Sequence, residues 1–433
     1  MRFFISSSTG KWAIQDLWLP FLLIGIFCFS NSCPAIEGFY KDLFVDGGVN
    51  LTNRRSLAAA NYLNLSMEYL ATEEQYIQDE LIVLNDHDDN GVLLFPDGSP
   101  RFRCIQVNGG SATNHGKSLG DTGRRRIRDF YLAGGCYTGT CAGCFIVANG
   151  YNNYTSPYYL KLWPARARTT GLSDIYTGHF IPGDSPLLDY YTFGDDLYID
   201  NVRHNYGAYA IKDDPDHWSP GTSLLLRYDY PEKKIHNHPS SWAWKEDEFS
   251  GRLAVIGSHP EGETTGEKRD LMAAIIQYAM DGRGRPITKG VLDNDITRSM
   301  NDNDKIGFEK IGDRQYHHFL VEVPAAAQNL EIILEGDDEY NLDLFLLKGD
   351  FAFKGKPGVI SADEHPGAHE SITITGPSPG TWYVAVKCVT TVTTIKKNWG
   401  YSYTGKLDVL NGVEYSISAS WETATVRNGW LFY

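Results

Sequence analysis

A cysteine set between two glycines, in Gly139-Thr140-Cys141-Ala142-Gly143, constrains this chain more than any other stretch. The spacing suits a strand that turns abruptly into a helix. The corner residue is forced into a strained backbone conformation, and neighbours without a Cβ let the chain pass. The corner side chain then stands clear of the sheet, beside the first amides of the new helix. Those N–H groups favour a thiolate and, later, an oxyanion. Small residues also allow plain tight packing, so the motif needs a partner before it speaks for catalysis.

A partner lies at Leu253-Ala254-Val255-Ile256-Gly257-Ser258-His259-Pro260-Glu261. The apolar run predicts a buried parallel strand, and a histidine follows its end with a carboxylate two positions on. A general base needs an orienting group that stabilises its charged form, and Glu261 is placed to supply one for His259. Upstream, strands are predicted at 42–48, 81–84 and 102–107, with helices at 56–70 and 122–132. This alternation marks an α/β parallel sheet, in which sites gather at the carboxyl ends of the strands.

Together, Gly-x-Cys-x-Gly and His-Pro-Glu resemble the class I glutamine amidotransferase-like superfamily. The string Gly134-Gly135-Cys136-Tyr137-Thr138-Gly139-Thr140-Cys141-Ala142-Gly143 resembles the branch found at the N-terminus of eukaryotic biotin-protein ligases. The resemblance spans residues 41–282. It implies a flavodoxin-like parallel sheet with flanking helices, Cys141 as nucleophile, His259 as general base and acid, and Glu261 as the orienting carboxylate. It further implies an oxyanion hole from Ala142 and the Gly109-Gly110 loop. His204-Asn205-Tyr206-Gly207 resembles the part that lines the substrate pocket, so His204, Asn205 and Gly207 are candidate binding residues; a structural histidine in a turn is an equal reading of His204. Gly282-Arg283-Gly284-Arg285 reads as a linker, with no biotin ligase core after it.

The chain has 433 residues, enough for two or three domains. Hydrophobic residues at 42% and charged residues at 21% describe a globular protein. A formal charge of −15 argues against nucleic acid as a partner. Residues 1–35 read as a secretory signal peptide, with an apolar run at 17–29 too short to span a bilayer comfortably. An uncleaved anchor is the alternative. The five cysteines outside it are an odd number for an oxidising compartment, consistent with one kept for chemistry; a Cys136–Cys144 disulfide stays open. Asn50, Asn64 and Asn153 open glycosylation sequons, Asn64 within the predicted helix.

Residues 151–244 are rich in Tyr, Trp, Pro and Asp and read as strands and loops inserted around the site, the best strands at 192–201 and 223–230. A capping-box pattern at Thr264-Thr265-Gly266-Glu267 opens a helix that ends the first domain near Gly282. Beyond residue 288, short alternating apolar runs separated by Gly, Pro and Asp predict an antiparallel β-sandwich. Residues 295–420 resemble the pre-peptidase C-terminal domain of secreted hydrolases, which implies a non-catalytic module that binds protein or polysaccharide or adds stability. The expected domains are thus 36–287 and 288–433. Asp86-x-Asp88-x-Asn90-Gly91 with Asp97 has the spacing of a calcium loop, but an acidic turn between strands fits the following residues better. The expected function is a secreted cysteine hydrolase of amide or peptide bonds, needing no cofactor or metal. Its partner would be a small-molecule or peptide substrate, with no membrane contact after signal removal. A binding protein without activity and an acyl transferase to an amine are the alternatives.

Overall fold

A computed structural model describes residues 38–46, 57–70, 91–299, 310–362, 365–396 and 401–423, all within one compact unit. The leader, the strand predicted at 81–84, Asn50, and Asp86, Asp88 and Asn90 lie outside the described residues.

The first region runs β1 (Lys41–Asp46), α1 (Ala58–Tyr62), β2 (Met67–Leu70), β3 (Phe102–Val107), α2 (Ala112–Ser118), α3 (Gly120–Leu132), β4 (Cys136–Thr140) and α4 (Ala142–Ile146). It continues through β5 (Ala148–Tyr151), β6 (Tyr154–Thr155), β7 (Trp163–Thr169), β8 (Ile175–Phe180), β9 (Tyr198–His204), β10 (Ala208–Tyr209), β11 (Ser223–Asp229), β12 (Pro239–Lys245), β13 (Arg252–Ile256) and α5 (Gly266–Asp281). A nine-stranded sheet runs β2-β1-β3-β4-β13-β12-β11-β8-β9. From β2 to β13 neighbouring strands are parallel; from β13 to β9 they are antiparallel. A smaller sheet, β10-β7-β5-β6, stands beside it.

The parallel strands read as continuous apolar runs because both faces are covered. Ile105, Tyr137, Leu253 and Val255 pack with Ile127 and Phe130 of α3 on one face. Cys104, Cys136, Ala254 and Ile256 pack with Leu271, Ile275 and Met280 of α5 on the other.

The structure departs from the sequence reading at three places. The helix predicted over 56–70 is the short α1, and Asn64 lies beyond it with φ 55°. Asparagine tolerates that left-handed backbone, which lets Met67–Leu70 pair with β1 instead of extending the helix. Residues 193–195 form a 3₁₀ turn, so the strand predicted at 192–201 is shifted to Tyr198–His204. At the start of α5, Thr265 makes no side-chain cap, so the capping box is not formed.

The C-terminal region contains β14 (Thr288–Val291), β15 (Ile296–Ser299), β16 (Tyr316–Val323), β17 (Ala327–Gly336), β18 (Leu342–Lys348), β19 (Ile360–Ser361), β20 (Glu370–Thr375), β21 (Gly380–Cys388), β22 (Thr393–Lys396), β23 (Tyr401–Thr404) and β24 (Tyr415–Thr423). Two sheets, β14-β16-β21-β18-β19 and β15-β24-β17-β20, share a core of Phe319, Val321, Leu344, Val384, Ile332 and Ile417; β22 and β23 form a separate hairpin. Pairing is antiparallel except for β14 beside β16, whose long connection permits a parallel partner.

Buried charge ties this region to the α/β sheet. Arg101 donates from Nε and Nη2 to the two oxygens of Asp313, each at 3.1 Å, and both side chains are 1% exposed. The Tyr40 ring lies 3.8 Å from that guanidinium, and Tyr403 of β23 donates to Glu68 of β2 at 2.5 Å. Asp97, the twelfth residue of the calcium-like pattern, is buried against Lys289 at 2.6 Å and accepts from Ser99.

Candidate active site

Cys141 stands at the corner between β4 and α4 with φ 47° and ψ −101°. A non-glycine residue there is strained by about 1–3 kcal/mol, so its surroundings must hold it in place. Three contacts do so. Its amide donates to Ile256 O at 3.0 Å, tying the corner to the end of β13. Its thiol donates to Asn205 O at 3.4 Å, and Tyr137 Oη donates to Gly143 O at 2.8 Å. The flanking glycines are needed for approach. A Cβ at 143 would sit 2.0 Å from Val107 O, and one at 139 would sit 2.6 Å from the Gly143 carbonyl.

His259 follows β13 by three residues, and its amide donates to Arg203 O at 2.8 Å. Pro260–Gly262 form one 3₁₀ turn, which folds Glu261 back so that its Oε1 lies 2.8 Å from His259 Nδ1. That occupies one ring nitrogen and leaves Nε2 for the sulfur, which lies near enough to bias the ring toward its charged form. Burial disfavours a charged imidazole, but the Glu261 carboxylate and the Cys141 sulfur outweigh it and push the His259 pKa up to about 10. The ring therefore carries its proton at neutral pH, beside the Cys141 sulfur.

Both residues open onto a cleft of about 460 Å³. Gly110, Ala142 and Asn205 line it together with Cys141 and His259, whereas Gly109, His204 and Gly207 do not. Behind Gly109, Thr138 Oγ1 donates to Gln106 Oε1 at 2.5 Å, and Gln106 Nε2 donates to Asn108 Oδ1 at 3.1 Å. This buried chain of amides fixes the loop after β3. Ser111 caps α2 by accepting from Asn114 N, and His115 of that helix pairs with Asp46 at 2.8 Å.

His204 is fully buried behind the cleft. Its Nε2 is 2.7 Å from Thr170 Oγ1, and its Nδ1 is 3.2 Å from Ser258 Oγ and 3.4 Å from Tyr228 Oη. Burial first, then the charge on His259, drives its pKa down to about 3. Gly207 is a packing position, since a Cβ there would lie 1.8 Å from Gly257 O. Asn205 presents its carbonyl to the thiol, and its side-chain oxygen accepts from Asp174 N. The sequence reading had no signal for that carbonyl contact.

The same reading passed over the aromatic wall of the cleft, Phe145, Tyr151, Tyr159 and Tyr206. Tyr151 packs on Phe145 at 6.5 Å and on Tyr159 at 6.3 Å between ring centroids. The tyrosine-rich composition after residue 150 was the available hint. Among the described residues no Asp, Glu, Lys or Arg lines the cleft.

The remaining candidates fall elsewhere. Cys104, Cys136, Cys144 and Cys388 are buried free thiols, so Cys136 and Cys144 are not joined. Burial raises the pKa of Cys136 to about 11. Asn153 is exposed in the turn between β5 and β6. No His, Cys, Asp and Glu cluster suited to a metal occurs among the described residues.

No curated protein matches the chain. Among solved structures, a glutamine amidotransferase is matched at 13% identity with a TM-score of 0.35, over 55% of this chain and 98% of that one. The pre-peptidase C-terminal domain of a Bacillus anthracis collagenase is matched at 15% identity with a TM-score of 0.19, over 32% of this chain and all of that domain. The sequence profile of the bacterial pre-peptidase C-terminal domain matches residues 315–387, from the strand before β17 to the end of β21.

Proposed function

We propose that this protein is a secreted cysteine hydrolase of amide or peptide bonds, built on a flavodoxin-like sheet. The strand order β2-β1-β3-β4-β13, parallel throughout, supports the fold reading. The pre-peptidase C-terminal profile supports an extracellular setting. One observation carries the chemistry: a strained cysteine and a charged histidine, itself held by a carboxylate, meet at one cleft.

In this reading the Cys141 thiolate attacks the carbonyl carbon and the C–S bond forms. Amides of Ala142 and the Gly109-Gly110 loop hold the oxyanion, a donor of this kind being worth about 3–4 kcal/mol of barrier. His259 passes its proton to the departing nitrogen as the C–N bond breaks, leaving a thioester. Water then gives a proton back to the neutral His259 while its oxygen attacks; the C–S bond breaks, and the thiolate–imidazolium pair is restored. Glu261 keeps Nε2 aimed at the sulfur throughout. The Asn205 carbonyl accepts from the Cys141 thiol only while the proton is still on sulfur, before the thiolate–imidazolium pair forms, and His204 and Gly207 pack behind that segment. The aromatic wall favours an apolar or aromatic group next to the scissile amide.

Labelling with iodoacetamide at neutral pH, followed by peptide mapping, tests the nucleophile. Cys141 should be modified in the natural protein and less readily in His259→Ala, and turnover of peptide amides should vanish in Cys141→Ala. An unreactive Cys141 would instead favour a binding protein without catalysis, and amide turnover that survives Cys141→Ala would remove the covalent route.

A further inference from the structure

We infer that Cys141 and Cys144 form a dithiol pair that closes to a disulfide by exchange with a small soluble disulfide, and that this bond switches the nucleophile off. The pairing stands on the fold of the corner; its effect on turnover rests on the hydrolase reading above.

The chain sets the two cysteines three apart, in Cys141-Ala142-Gly143-Cys144. The fold turns that spacing into one turn of helix. Cys141 is the N-cap of α4, and the Cys144 amide donates to its carbonyl oxygen at 3.1 Å. Residues three apart across such a turn have Cα atoms about 5 Å apart, inside the roughly 4.4–6.8 Å that a disulfide spans. The side chains also feel each other. Burial first, and then the nearby Cys141 sulfur, hold the Cys144 thiol well above its ordinary pKa.

Access gives the two sulfurs different tasks. Cys141 lines the cleft and is 6% exposed, whereas Cys144 is fully buried in the apolar core with Val107 and Ile146. A soluble disulfide therefore meets Cys141 first. The Cys141 thiolate attacks one of its sulfurs, a mixed disulfide forms, and one half departs as a thiol with the proton that left Cys141. The Cys144 sulfur then attacks Cys141 Sγ, and the second half departs with the Cys144 proton. Two protein thiols are oxidised, and one soluble disulfide is reduced to two thiols.

Cys104 and Cys136 supply the contrast. They stand opposite each other in the pairing of β3 with β4, on the face covered by α5. Both are fully buried and neither lines the cleft, so nearness without access leaves them as thiols.

The test equilibrates the full chain with oxidised and reduced glutathione at rising ratios, quenches in acid, and tags every remaining thiol with N-ethylmaleimide after unfolding. Mass mapping reads the tryptic segment 129–161, which holds Cys136, Cys141 and Cys144. Cys136 should carry the maleimide, while Cys141 and Cys144 should together lose two hydrogens and take none, reversibly with dithiothreitol. Iodoacetamide labelling of Cys141 in the folded chain should fall about ten-fold or more over the same ratios. In Cys144→Ala, which keeps the site apolar, Cys141 should stop at the glutathione adduct. Maleimide on both cysteines at every ratio, an adduct that persists on Cys141 in the natural chain as in the variant, or a bond from Cys136 overturns the pairing. Amide turnover is measured separately on the reduced chain. Its absence in a chain that still forms the disulfide removes the hydrolase reading alone, and turnover that survives disulfide formation removes the switch.

Discussion

His259 Nδ1 and Glu261 Oε1 stand 2.8 Å apart across a single 3₁₀ turn, and the two side chains are 7% and 2% exposed. The pairing is local, so it forms whenever His-Pro-Glu turns. The burial is not local, and it gives the carboxylate its leverage over the ring. Because the His259 pKa is raised from 6.5 to about 10, the pair's contribution to stability is full below pH 6.5 and is lost as pH rises through about 10. Glu261→Gln keeps a hydrogen-bonding partner but removes the charge. Amide turnover should fall about a hundred-fold or more, and its alkaline limb should move toward neutrality. A pH–rate profile that kept its alkaline limb in the variant would contradict this role for Glu261.

Gly143 tests the corner by sterics alone. A Cβ there meets a backbone oxygen of β3, which cannot swing aside as a side chain would. Gly143→Ala should cost about 3 kcal/mol or more, read as a lower urea midpoint or as loss of soluble protein. Gly183 is the matched control, with open space where its Cβ would go, and Gly183→Ala should stay within about 0.5 kcal/mol of the natural protein.

Arg101 and Asp313 make a stronger claim about the two regions. Asp313→Asn strips the charge facing a buried guanidinium and should cost about 3–5 kcal/mol. Replacing both at once, with Arg101→Met and Asp313→Leu, should cost much less, because no uncompensated charge stays behind. A chain cut after residue 287 loses Asp313 and Tyr403 together and should not fold to the natural stability. Denaturant unfolding of the four proteins checks this, and a fully stable truncated chain would show that the two regions fold independently.

What could be read from the sequence was local or periodic. The elbow and the His-Pro-Glu turn follow from short-range sterics, and β13 follows from an apolar run buried on both faces. The strands of the C-terminal region follow from their alternation. Illegible were features decided by distant parts of the chain. Helix propensity at 56–70 lost to pairing with β1, and the fate of Asp97 depended on Lys289, far along in sequence. His204 looked like a pocket residue by motif, but β9 is the sheet's edge strand and turns its histidine inward toward Ser258 and Tyr228.

That inward turn has a measurable consequence in acid. His204 and His179 are both buried and neutral, their pKa values driven from 6.5 to about 3, by burial first and then by a neighbouring histidine: His259 for His204, and His204 for His179. A folded-state pKa below the unfolded one means that the unfolded chain takes up the proton first. The stability at stake is whole above pH 6.5 and drains away as pH falls toward 3. Each histidine should remove about 1.4 kcal/mol per pH unit in that window. Because each unfolded imidazole is already half protonated at pH 6.5, the pair should cost about 3 kcal/mol between pH 6.5 and 5. His179 can be replaced with little loss of bonding, because Asn at 179 keeps a polar group toward Ser240, its 2.8 Å partner. His179→Asn should lose about half as much stability from the two sites over the same interval, read from urea midpoints at the two pH values. Equal acid sensitivity in the variant and the natural protein would mean that His179 takes up a proton without unfolding.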